Sequence, residues 1–161
     1  MGKQPLVIQA ALFHAMDNAT VRTLLPSFLS ISYRSQERII VFRWLCPVPS
    51  EDLFRASYFA LLDLAVQHDC WQWLLDLRRR GSNTVEQDQW VLHEFCPMLN
   101  AVFPNNQLVY AAYLVAPSSL HHYANVVTPA LSNPLKTCYR AAAFIDEGPA
   151  NSWLTDQRAA K

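Results

Sequence analysis

The chain has 161 residues, 52% of them hydrophobic and 16% charged, and its 13 basic and 13 acidic side chains leave a formal net charge of zero. That balance suits one folded domain with a sizeable core and is too apolar for a disordered chain. A nucleic-acid partner is not expected, because phosphate backbones select an excess of Lys and Arg, and the only basic run is Arg78-Arg79-Arg80.

Zero net charge combined with 12% aromatic residues favours self-association, and a homodimer is the expected state. Cys46, Cys70, Cys96 and Cys138 form no C-x-x-C pair and fall in or beside apolar segments, which predicts reduced, buried thiols. The N-terminal run after Lys3 is interrupted by Gln9 and His14 and lacks a small-x-small cleavage site, so it does not read as a signal peptide. No run reaches the ~18 apolar residues of a membrane span. A cytoplasmic protein is therefore expected.

Residues 1–26 read as an extension: Val7, Ala11 and His14 suit a helical stripe, and residues 6–10 suit a strand nearly as well. Residues 27–156 read as a single domain and 157–161 as a tail. In residues 28–33, Leu29, Ile31 and Tyr33 alternate with Ser30 and Ser32, the pattern of a half-buried strand. A polar link over 34–38 and a second strand over 39–45 complete a hairpin. Pro47 and Pro49 stop that strand, and Ser50-Glu51-Asp52 open a helix by capping and by charge. Leu53, Ser57, Leu61, Leu64 and His68 recur at helical spacing, which carries the helix to about Gln67. After Asp69-Cys70 the chain re-enters the sheet over 71–77, so the crossover must be parallel.

Gly81-Ser82-Asn83 predict a turn, with Ser82 or Thr84 capping a helix that buries Val91, Phe95, Leu99 and Val102. Pro97 inside it predicts a kink or a restart. Residues 104–106 end that helix, and 108–116 form a continuous apolar strand, as a central parallel strand would. Pro117-Ser118-Ser119 open a short helical segment to about Val127, and Pro129 and Pro134 bracket a loop. A last strand over 137–144 and a helix over 146–156 close the chain.

Metal and nucleophile chemistry find little support. His121 and His122 are adjacent, and His93-Glu94 meets Pro97 where a second histidine would be needed. No phosphate loop or nucleophile elbow occurs, so no cofactor and no enzymatic activity are expected. Trp71, Trp73, Trp90 and Trp153 read as core or interface. The stretch with chemical interest is the end of the third strand. Alternation puts Asp76 and Arg78 on one face at its carboxyl end, where open α/β sheets hold ligands. One reading is an anion site made by Asp76, Arg78, Arg80, Ser82 and Thr84 with the first N–H groups of the following helix. The other is a strand-end ion pair that orders the turn.

Several residues in this order resemble the bacterial SpoIIAA-like (STAS-like) family of small proteins, related in fold to the anti-sigma-factor antagonists. The hairpin ends in Trp44 before Ser50-Glu51-Asp52, and the third strand ends Leu75-Asp76-Leu77-Arg78. The next helix carries Asp88, Trp90 and Pro97, and the tail reads Phe144-Ile145-Asp146-Glu147, then Ala150 and Trp153-Leu154. The resemblance covers residues 26–154. It implies an α/β fold whose mixed sheet opens with an antiparallel hairpin and continues in βαβ units with helices packed on the sheet. It also implies a non-enzymatic regulatory module with a protein partner. The antagonists' phosphorylated Asp-Ser-Ser-Gly signature is replaced here by Arg80-Gly81-Ser82-Asn83-Thr84, so phosphorylation-controlled partner switching does not carry over. CRAL-TRIO lipid-transfer domains share a similar layout and imply, by analogy of fold, a hydrophobic or anionic small ligand.

Overall fold

The computed structural model describes residues 27–81, 83–103 and 107–160. The readings made for residues 1–26, for Ser82 and for the helix end at 104–106 lie outside the described residues. Strands β1 (Leu29–Arg34) and β2 (Ile39–Trp44) form the expected antiparallel hairpin. Arg38, with φ 54°, takes the left-handed conformation that closes its turn. Helix α1 (Glu51–His68) follows, with the Ser50 hydroxyl accepting from the Leu53 amide at 3.2 Å. Asp69, at φ 47°, ends it in the left-handed region. Strand β3 (Gln72–Asp76) pairs parallel with β2.

Helix α2 spans 85–102, β4 is Val109–Leu114, helix α3 spans 117–131, β5 is Tyr139–Phe144 and helix α4 is Glu147–Ala159. The sheet order is β1-β2-β3-β4-β5, antiparallel at the hairpin and parallel elsewhere. The molecule is thus an α/β fold with a five-stranded mixed sheet. Each strand lies beside its predecessor, so the three crossovers step in one direction. Crossovers of one hand then put α1, α2 and α3 on the same face of the sheet.

That face holds the larger core. Ile40, Phe42, Trp44, Trp73, Leu75, Ala111, Tyr113 and Tyr139 point into it, with Phe54, Tyr58, Trp90 and Phe95 above them from the helices. Trp44 packs on Phe54 and edge-on to Phe42, and Tyr58 packs edge-on to Trp90 and Phe95. The opposite face is smaller. Ile39, Val41, Leu74, Ala112 and Leu114 are covered by α4 through Ala150 and Leu154. Trp73 and Trp90 are core residues, whereas Trp71 and Trp153 are half-buried.

Both α2 and α3 contain a π-helical turn, Val91–Phe95 in one and Tyr123–Val127 in the other. In each the widened turn ends two residues before a proline, Pro97 or Pro129. The Cys96 amide reaches back five residues to the Val91 carbonyl, and the Thr128 amide reaches Tyr123 in the same way. A widened turn absorbs the bond that a proline cannot make and the crowding of its ring. α2 therefore runs on through Pro97 without a restart. The loop expected to begin at Pro129 starts later, because that residue is accommodated inside a helix that continues to Leu131.

Candidate functional site

The carboxyl ends of β3 and β4 open between α2 and α3, as expected of a parallel sheet. Two cavities meet there and share a wall made by Leu77, Asn83, Asp88, His122, Tyr123 and Val127. One is a mostly apolar recess of about 170 Å³, lined also by Tyr58, Leu92 and Leu131 and reaching the surface at Val126 and Ala130. The other, about 430 Å³, is more polar and is lined also by Arg78, Gly81, Ser118 and Ser119.

Local sequence explains how these side chains arrive. The Leu77 amide donates to the Leu114 carbonyl at 2.9 Å, which ties the loop after β3 to the end of β4. Thr84 and Gln87 then form a reciprocal capping box. The Thr84 hydroxyl accepts from the Gln87 amide at 3.2 Å, and the Gln87 side chain accepts from the Thr84 amide at 3.1 Å. The box fixes Asp88 in the first turn of α2, where Asn83 Nδ2 donates to it. Both π turns contribute to the recess, through Val91 and Leu92 on one side and Tyr123, Val126 and Val127 on the other.

Arg80 sits behind this wall. It is only 3% exposed. Its amide bonds to the Leu77 carbonyl at 3.1 Å, a turn that throws the side chain under the three-helix face. The guanidinium carbon lies 5.8 Å from the Trp44 ring centre and 5.6 Å from that of Phe54. Among the described residues, Nε and both terminal nitrogens have no hydrogen-bond partner. Trp44 Nε1 and Asn83 Oδ1 are further buried atoms without one. Burial pushes the phenols of Tyr58 and Tyr123 up, and the positive charge of Arg80 pulls both back. The guanidinium thus acts on two residues that line the recess, by charge on Tyr58 and by charge and close side-chain approach on Tyr123, though no bond of full geometry forms among the described residues.

The α4 face is arranged differently. Asp76 is buried and accepts from Arg78 Nε at 2.9 Å and Nη2 at 2.8 Å, and forms an ion pair with Arg43 Nη1 at 2.9 Å. Glu147 joins Arg43 at 3.0 Å to Arg34 at 2.8 Å. Burial alone would raise the Asp76 carboxyl, but Arg78 and Arg43 outweigh it and hold the group below its ordinary value; Arg43 and Arg34 do the same for Glu147. A cavity of about 350 Å³ lies against Arg43, Asp76, Arg78 and Arg79.

The sequence-derived site is therefore divided. Asp76 and Arg78 come together as an ion pair. Arg80 departs to the other side of the sheet, and the Thr84 hydroxyl is engaged by its own helix. Ser82 lies outside the described residues. Tyr58 and Tyr123 were not singled out from sequence; His122 was weighed only as a metal ligand and Asp88 only as part of the resemblance. Pro97 and Pro129, in the two helices that flank the cleft, are the signal that could have pointed to this place. Among the described residues no three His, Cys, Asp or Glu side chains converge on a metal position, and all four cysteines are free thiols. No helix there is long and apolar enough to cross a membrane. Comparisons with protein-family models, with curated proteins and with solved structures return no match to this chain.

Proposed function

We propose that this chain is a non-enzymatic binding module that takes a small ligand with an apolar body in the cleft between α2 and α3. The observation that carries the reading is the apolar recess that shares a wall with a more polar cavity at the carboxyl ends of two parallel strands. The hairpin followed by βαβ units is what the STAS-like resemblance implies, and it supports a regulatory use of the bound state in the cytoplasm. Self-association or a protein partner belongs to the same proposal. Its support is zero net charge together with Leu135 and Val85, 94% and 72% exposed. Sedimentation at tens of micromolar is expected to show a species heavier than the 18.4 kDa chain.

Native mass spectrometry of the purified protein tests the central reading. A bound mass is expected that is lost in Ala130→Trp, because Ala130 borders the recess from an exposed position and a larger ring there fills the space. Retention of the same mass by that variant would place the ligand elsewhere.

A further inference from the structure

We infer that Arg80 is the recognition group for the charged end of the ligand, and that the ligand is a small monocarboxylic acid with an apolar body. The inference rests on the ligand-binding reading and gives it a chemical class. A guanidinium stays protonated wherever it is placed, and a buried charge without a counter-ion is unfavourable. The faces of Trp44 and Phe54 offset part of that cost but offer no hydrogen-bond acceptor. Five N–H groups directed into a closed aromatic space thus call for an anion, and none among the described residues bonds to them.

The neighbouring charges narrow the class. Arg78 is matched by Asp76 and Arg79 is exposed to solvent, so Arg80 is the buried cation without a counter-ion on this loop among the described residues. Asp88 stands in the shared wall and repels a multiply charged group such as phosphate. One cation behind one carboxylate admits a single negative charge. The planar fork of arginine matches a carboxylate with two parallel bonds. The apolar recess alongside then holds the remainder of the molecule. Arg80 does not itself border the cavity. Tyr123 lines the cavity and its phenol faces Arg80, so on this inference the carboxylate takes the place of that phenol at the guanidinium.

Calorimetric titration of the full chain with 2-naphthoate and with its neutral isostere 2-naphthamide tests this. Naphthoate is expected to saturate one site at least about tenfold more tightly than the amide, as befits a charge-assisted fork. The preference should vanish in Arg80→Met and survive in part in Arg80→Lys, which keeps the charge without the fork. Without ligand, Arg80→Met should unfold at no lower urea concentration than the parent, since the substitution removes an unmatched charge.

Equal affinity for acid and amide would overturn the role of Arg80 while leaving the apolar-ligand reading intact. Failure of both compounds to bind would overturn both readings. Tighter saturation by inorganic phosphate than by naphthoate would overturn the monocarboxylate class. Asp17 is the only acidic side chain outside the described residues. A lower urea midpoint in Asp17→Asn that disappears in the Arg80→Met background would make Asp17 the counter-ion and overturn the inference.

Discussion

Arg78 follows β3 on the face of the sheet covered by α4, where both oxygens of Asp76 hold it, whereas Arg80, two residues on, lies under Trp44 and Phe54 with no hydrogen-bond partner among the described residues. The difference reflects how each face is built. On the α4 face charges alternate in a line, Arg34, Glu147, Arg43, Asp76 and Arg78, each within ion-pair distance of the next. Its arginines keep about a third of their side-chain surface in water, which completes their hydration. The three-helix face is closed by aromatic rings and leaves Arg80, the one buried arginine among the described residues, to them. A basic triplet that is uniform in sequence therefore separates into a structural member, Arg78, and a member with unmet bonding capacity, Arg80.

The largest effect that sharpens this comparison comes from Leu74 and Leu75, adjacent and fully buried on opposite faces. Each change to alanine should cost about 2–5 kcal/mol. Leu75, beneath three helices, is expected near the upper end, and Leu74, beneath α4 alone, near the lower. A denaturant titration giving less than about half a kcal/mol for both would put this strand outside the core.

Next, Asp76→Ala should leave Arg78 without its partner and Arg43 with Glu147 alone. A loss of about 1–2 kcal/mol in urea unfolding is expected, because the pairing is lost while water still reaches both arginines. Cost-free removal of Asp76 would show that the α4 face does not depend on its pairing.

The same groups set an acid dependence. The Asp76 and Glu147 carboxyls lie below their ordinary values of 3.8 and 4.5 in the folded protein, so the unfolded chain binds protons first as pH falls. Their contribution is complete above about pH 5 and fades as pH drops through the folded values. Asp76→Asn should flatten the acid limb of a stability–pH curve. An unchanged slope would remove Asp76 from that linkage. The smallest expected effect is Arg79→Ala. This exposed member of the triplet should alter stability by less than about 0.5 kcal/mol, and a larger change would show that the triplet acts as one unit.

Much of the architecture was legible in short patterns. Alternation over Leu29–Tyr33, the capping signal at Ser50 and the apolar run of β4 each act locally, and each element lies within a residue or two of its expected place. Pro129 was not legible. Its effect depends on whether the preceding turn widens, and that choice rests on packing against the rest of the domain.

The candidate site was half legible for the same reason. Asp76 and Arg78 pair because a strand's period of two puts them on one face, and that period is written in the sequence. Alternation continued past Leu77 would leave Arg80 beside Arg78, but the bond from its amide to the Leu77 carbonyl reverses its direction.

The sequence alone determined the class of fold, the order of its strands and helices, the caps and the Asp76–Arg78 pair, because these follow from periodicity and near-neighbour hydrogen bonding. Only the tertiary structure decided that three helices share one face, that their two π turns border a cleft, and that Arg80 is buried beside it. Those outcomes depend on which distant rings and backbones a side chain meets, and residues far apart in the chain, such as Trp44, Arg80 and Tyr123, meet only when the sheet is assembled.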